Sequence, residues 1–141
     1  MLDLAQFGTR ESAAEGAVMR VLNPQTRAEL ATPDGTPITI TLASGDAERV
    51  RAVNRKATNK RLAQQRGGRN AVVTAEALEA DALSALVAAT IAWQGIALGT
   101  EVLDLNDANV RRAYTELPWL RRQVDEFVAD EGNFVRSSPT S

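Results

Sequence analysis

The sequence predicts an α+β fold: a small N-terminal antiparallel β-meander of about three strands, then a bundle of about four helices. Three observations carry this. Residues 37–42, PITITL, alternate with period two, as a strand with one buried face requires. Turn formers, Asn23-Pro24-Gln25-Thr26 and Pro33-Asp34-Gly35, punctuate the segment before it. From Ser44 onward apolar residues recur at helical spacing, in stretches divided by Gly67-Gly68, by a glycine-containing segment after Gln94 and by Pro118. At 141 residues one domain is the simplest arrangement, large enough to bury a core without disulfides or metal.

Taken in order, residues 1–15 are weakly patterned and rich in small or charged side chains, which predicts a flexible lead-in. The domain then spans 16–136, with 16–43 as the meander and 44–136 as the helical part. Ala17-Val18-Met19-Arg20-Val21-Leu22 is β-compatible, and residues 27–31 read as a short returning strand. Ile38, Ile40 and Leu42 face one side of the next strand. Such a meander needs a covering helix. Ser44-Gly45-Asp46 starts one, since Ser44 or Asp46 can accept from the free amides of a first turn. That helix runs to about Gln65, with Val50, Val53 and Ala57 as a narrow apolar stripe. Arg49, Lys56 and Lys60 flank the stripe on one side, while Arg51 and Arg55 lie on another face. Gly67-Gly68 ends it in a flexible connection at residues 66–72.

Thr74-Ala75-Glu76-Ala77 opens the next helix, with Glu76, Glu79 and Asp81 near its positive end. Ala75, Leu78, Ala82, Leu86, Ala89 and Trp93 share one stripe; Leu83, Val87 and Ile91 make a second. The charge-free run from Ala82 to Thr100 is nearly as long as a membrane span, but its alanine, serine, threonine, glutamine and glycine are too weakly apolar for one. It is therefore read as a central, buried helix through Trp93. Residues 95–105 form a loop or hairpin, and Asn106 or Asp107 caps a short helix through Tyr114. Pro118 suits the first turn of a last helix, where its missing N–H costs nothing, and Leu120, Val124, Phe127 and Val128 share a face of it. Residues 137–141 read as a flexible tail.

Composition narrows the function. The chain has no histidine and no cysteine, which removes the usual zinc sites, thiol nucleophiles, His-based triads and disulfide frameworks. No basic-then-apolar leader opens the sequence, so a secretory signal is not expected. The charge is unevenly spread: residues 49–69 carry 8 basic and no acidic side chains, between acidic stretches on either side. A basic middle between acidic ends suits contacts between segments or chains, or an acidic partner.

Candidate contact residues follow from charge and aromatic placement. Five of the six aromatics, Trp93, Tyr114, Trp119, Phe127 and Phe134, fall in the last third of the chain. Aromatics supply large contact areas and favour interfaces where one edge stays wet. Trp119 lies off the Leu120–Val124–Phe127 stripe at 100° per residue, so it serves either as an anchor for a partner or as packing against Tyr114 and the preceding loop. Trp119, Tyr114, Trp93, Arg49, Arg55, Lys56 and Lys60 are the candidate partner-binding residues. Against a nucleic-acid role for 49–69, the whole chain is acidic and no aromatics interleave the charges; a solvated amphipathic helix is the simpler reading. The carboxylates Asp125-Glu126 with Asp130-Glu131, and Asp104 with Asp107, read as solvated helix faces rather than metal or acid–base sites. Gly67-Gly68 matches no phosphate-binding fingerprint. No catalytic residue, cofactor or metal is expected.

Three blocks together resemble a known family. PDGTPITITLASGD running into an arginine-rich helix, the alanine-rich segment ending TIAWQGI, and the closing ANVRRAYTELPWLRRQVDEFVADEGNF are similar, in order and spacing, to tail assembly chaperones of tailed bacteriophages. The resemblance spans roughly residues 7–135. It implies a non-enzymatic factor, active in the bacterial host cytoplasm and absent from the finished virion. Such a factor coats the tape-measure protein and keeps it soluble until tail-tube subunits polymerise around it. Those subunits are a further implied partner, and a homo-oligomer is compatible with the role. Two rivals remain at this point: a minor tail or connector protein retained in the particle, and a nucleic-acid-binding protein using 49–69.

Overall fold

The computed structural model describes residues 15–66 and 74–134; the expected lead-in, the Gly67-Gly68 connection and the tail at 137–141 lie outside the described residues, except for Glu15 and Arg66. The fold is α+β. Strands β1 (Ala17–Arg20), β2 (Thr39–Leu42) and β3 (Thr90–Gln94) form an antiparallel sheet in the order β1-β2-β3. The helices are α1 (Glu48–Arg66), α2 (Ala75–Ala89), α3 (Asp107–Glu116) and α4 (Pro118–Ala129). A short hairpin, β4 (Ala97–Leu98) with β5 (Glu101–Val102), lies between β3 and α3, and a 3₁₀ turn at Glu131–Asn133 follows α4.

The third strand of the sheet is where structure and expectation part. Residues 27–31 return antiparallel as expected but make only two isolated bridges, Leu22↔Glu29 and Ala31↔Pro37. The ladder's other neighbour of β2 is instead β3, which pairs Thr39↔Gln94, Ile40↔Trp93 and Thr41↔Ala92 and then shifts register to Leu42↔Thr90. The helix expected to run through Trp93 therefore stops at Ala89. β-Branched Thr90 and Ile91 and aromatic Trp93 favour a pleated surface, and an open edge of β2 waits for them. Thr90 marks the change: its hydroxyl donates to the Leu86 carbonyl, while its backbone turns extended.

One face of the sheet, carrying Met19, Ile40, Leu42 and Trp93, turns to the helices. Met19, Ile40 and Leu42 are buried with Leu86 and Val87 of α2, Val110, Ala113 and Tyr114 of α3, and Leu120 and Val124 of α4. A smaller cluster, Ala43, Ala47, Val50 and Ala89, ties the start of α1 to the end of α2. On the opposite face Val18, Thr41 and Ala92 lie side by side in register, and Val18 is exposed.

The helix ends follow local chemistry. Thr74 caps α2 by accepting from the Ala77 amide at 3.1 Å, and Asn106 caps α3 by accepting from Asn109 at 2.8 Å. Pro118 occupies the first turn of α4. In the β4–β5 hairpin, Gly99 takes the positive φ, +61°, that a two-residue loop requires. Among the described residues no helix is long and apolar enough to cross a membrane.

Candidate partner-binding surface

Helix α1 is attached along one narrow strip. Val50 is buried, and Val53, Ala57 and Arg61 are half-buried, at spacings that place all four on one face. The other positions with described side chains are exposed. At 1.5 Å per residue the helix is about 28 Å long, and its side chains are strongly basic.

The cations of α1 divide by what they touch. Arg61 pairs with Asp81 of α2 and pins the two helices together. Arg55 reaches back to Glu48 on the same helix; that bond holds the Glu48 carboxyl below the usual carboxylate range and raises the Arg55 guanidinium. Arg49, Arg51, Lys56 and Lys60 form no salt bridge with any described residue. All four are exposed.

Lys56 and Lys60 stand on the rim of a groove of about 310 Å³. Val53 and Ala57 of α1 form one wall, Asp81, Ser84 and Ala88 of α2 the floor, and Asp107 and Arg111 of α3 the far side. Arg111 donates from Nε to the Asp107 carboxylate at 2.9 Å and from Nη1 to Ser84 Oγ at 3.2 Å. Both carboxylates lining the groove thus already have an arginine partner, which leaves the two lysines as its cations without a salt bridge among the described residues.

The aromatic candidates fare differently. Tyr114 is a core residue, 1% exposed, and cannot act as an accessible contact. Thr90 already donates to the Leu86 carbonyl, so the Tyr114 hydroxyl is the donor in their 2.7 Å bond. Burial pushes the phenol up to about 12. Its place at the centre of α3's apolar face, with Val110 and Ala113, explains the difference: a tyrosine whose hydroxyl finds a buried partner is stable inside. Trp93 is half-buried on the inner sheet face and donates from Nε1 to the Leu103 carbonyl at 3.1 Å. Trp119 is also half-buried and packs against the main core, so part of its ring already serves the fold.

The acidic groups expected to be solvated are exposed: Asp104, Asp107, Asp125, Glu126, Asp130 and Glu131. No cluster of three or more potential metal-ligating side chains occurs among the described residues. Sequence reasoning picked out Lys56 and Lys60 but missed the residues facing them. Asp81, Ser84 and Ala88 form a strip of polar or small side chains on α2 at helical spacing, a signal hidden by the longer apolar stripes beside it. No protein-family model, curated protein or solved structure matches this chain.

Proposed function

We propose that this chain is a binding protein without chemistry of its own, a tail assembly chaperone that holds a tape-measure protein soluble in the host cytoplasm and leaves before the virion is complete. The observation that carries the reading is the one-sided attachment of α1, which leaves Arg49, Arg51, Lys56 and Lys60 exposed and without salt bridges among the described residues. A releasable coat protein needs adjustable contacts of this kind, since exposed ion pairs are individually weak and exchange readily. The resemblance of the 33–46, 90–96 and 108–134 blocks to tail assembly chaperones supplies the identity of the client.

Co-expression with the long, helix-rich product of a neighbouring gene tests the proposal. The client is expected to co-purify with this chain and to gain solubility from it; a client that does neither removes the proposal's main support. Stoichiometric recovery of the chain from purified particles would favour a structural tail protein instead. Binding to duplex DNA with a steep salt dependence, lost on neutralising the α1 cations, would favour a nucleic-acid role.

A further inference from the structure

We propose that the groove between α1 and α3 is a seat for an acidic helix of the partner, one that presents two carboxylates a helical turn apart to Lys56 and Lys60. This deepens the chaperone reading and rests on it for the partner's identity, though not for the site. Three features lead to it. First, the charge excess is local and positive, because Asp81 and Asp107 are neutralised by Arg61 and Arg111 while the two lysines form no salt bridge among the described residues. Second, the lysines sit four residues apart on one face of α1, the spacing at which side chains of a facing helix one turn apart also lie. Third, Ala57, Ser84 and Ala88 are small, so a helix axis can approach closely between the walls.

The same geometry selects against other ligands. The walls are helices, whose backbone groups are satisfied internally, so an extended peptide would find no main-chain partners there; a helix brings its own hydrogen bonds with it. A nucleic acid draws its affinity from neutralising many phosphates along its length, and this groove offers it only two cations without a salt bridge among the described residues. A helix with paired carboxylates meets the lysines and lays its small or apolar residues over Val53, Ala57 and Ala88.

The test uses the full chain and labelled, alanine-rich helical peptides read by fluorescence anisotropy. One peptide carries glutamates in i, i+4 pairs along one face, a second carries glutamine in their place, and a duplex DNA serves as a third probe. The glutamate peptide is expected to bind, with affinity falling as salt rises, and the glutamine peptide to bind at least about tenfold more weakly. Lys56→Gln with Lys60→Gln should weaken the glutamate peptide about tenfold, while Arg51→Gln with Arg55→Gln on the other face changes it less than about threefold. All four side chains are exposed, so the fold should survive either pair, and an unchanged circular dichroism spectrum checks this. Equal binding of both peptides, equal loss with the Arg51/Arg55 pair, or DNA binding lost with the lysines would overturn the proposal. If the peptide fails while the tape-measure client still co-purifies, the groove assignment falls and the chaperone reading stands; the reverse outcome separates them the other way.

Discussion

Gln123 joins the two ends of the described chain, and replacing it is the sharpest test of the packing. Its side-chain Oε1 accepts from the Leu22 amide at 3.0 Å, and its Nε2 donates to the Leu22 carbonyl at 2.8 Å. The amide thus stands where a neighbouring strand would stand, at the continuation of β1, and it is only 9% exposed. Gln123→Ala removes both bonds, each worth about 1 kcal/mol net. Leu22 is half-buried beside an open groove of about 340 Å³ that it lines with Gln123, so water reaches the freed groups and the added desolvation cost is small. The sum is about 2 kcal/mol, or a fall of roughly 6–10 °C in the thermal midpoint for a domain of this size. Gln123→Glu sharpens the test. At neutral pH its carboxylate keeps the amide contact but faces the Leu22 carbonyl without a proton to donate, beside Glu126 and Asp130 in the same groove. The folded state therefore favours the protonated acid and raises its pKa, so the stability this side chain contributes is present at low pH and lost as pH rises. Thermal unfolding of both variants against the parent, at neutral and mildly acidic pH, reads these differences. A Gln123→Ala midpoint within about 2 °C of the parent, or a Glu variant whose deficit does not shrink on acidification, would refute the reasoning.

Three further outcomes are expected. Tyr114 is the only tyrosine, so absorbance near the phenolate band reports it alone: it should stay un-ionised well above the ordinary value and titrate near 12 while folded. Because its folded pKa lies above the unfolded value of about 10, that contribution is intact below about pH 10 and lost above it; Tyr114→Phe should cost about 1 kcal/mol and remove this alkaline slope. Gly16 has φ +79°, and a Cβ there would meet the Leu42 carbonyl oxygen at 2.6 Å, whereas at Gly99 nothing stands within 4 Å. Gly16→Ala should therefore destabilise by about 2–4 kcal/mol and Gly99→Ala by only about 1 kcal/mol in chemical denaturation; equal effects would mean backbone strain alone decides. Trp119→Ala should lower the thermal midpoint by several degrees, since the ring packs on the core; a midpoint unmoved alongside weakened client capture would return Trp119 to the role of anchor.

The sequence exposed some layers of this fold more clearly than others. Cap and turn chemistry was readable at Asn106, Thr74 and Pro118 because it is local: a side-chain acceptor or a missing N–H acts within one turn. The stripe Val50, Val53 and Ala57 was readable because few other apolar residues on α1 compete with it. Thr90–Gln94 was misread because an apolar run without charges fits a buried helix and a buried strand equally well, and only the open edge of β2 decides between them. Tyr114 was read as surface because aromatic clustering says nothing about direction; the Thr90 hydroxyl that satisfies it lies 24 residues away. The groove was half visible. Lys56 and Lys60 share a flank by spacing alone, whereas Asp81 and Arg111 reach them only through tertiary packing.

The late arrival of β3 in the chain has a consequence for biosynthesis. β1 and β2 can pair as soon as residue 42 is made, yet the outer edge of β2 stays bare until the whole α1–α2 excursion and Thr90–Gln94 have been added. A nascent chain halted before Thr90 thus displays an open strand rim above Ile40 and Leu42, the surface most prone to stick to its neighbours. Fragments ending in the excursion should accumulate as aggregates, while the chain that reaches Gln94 closes that rim.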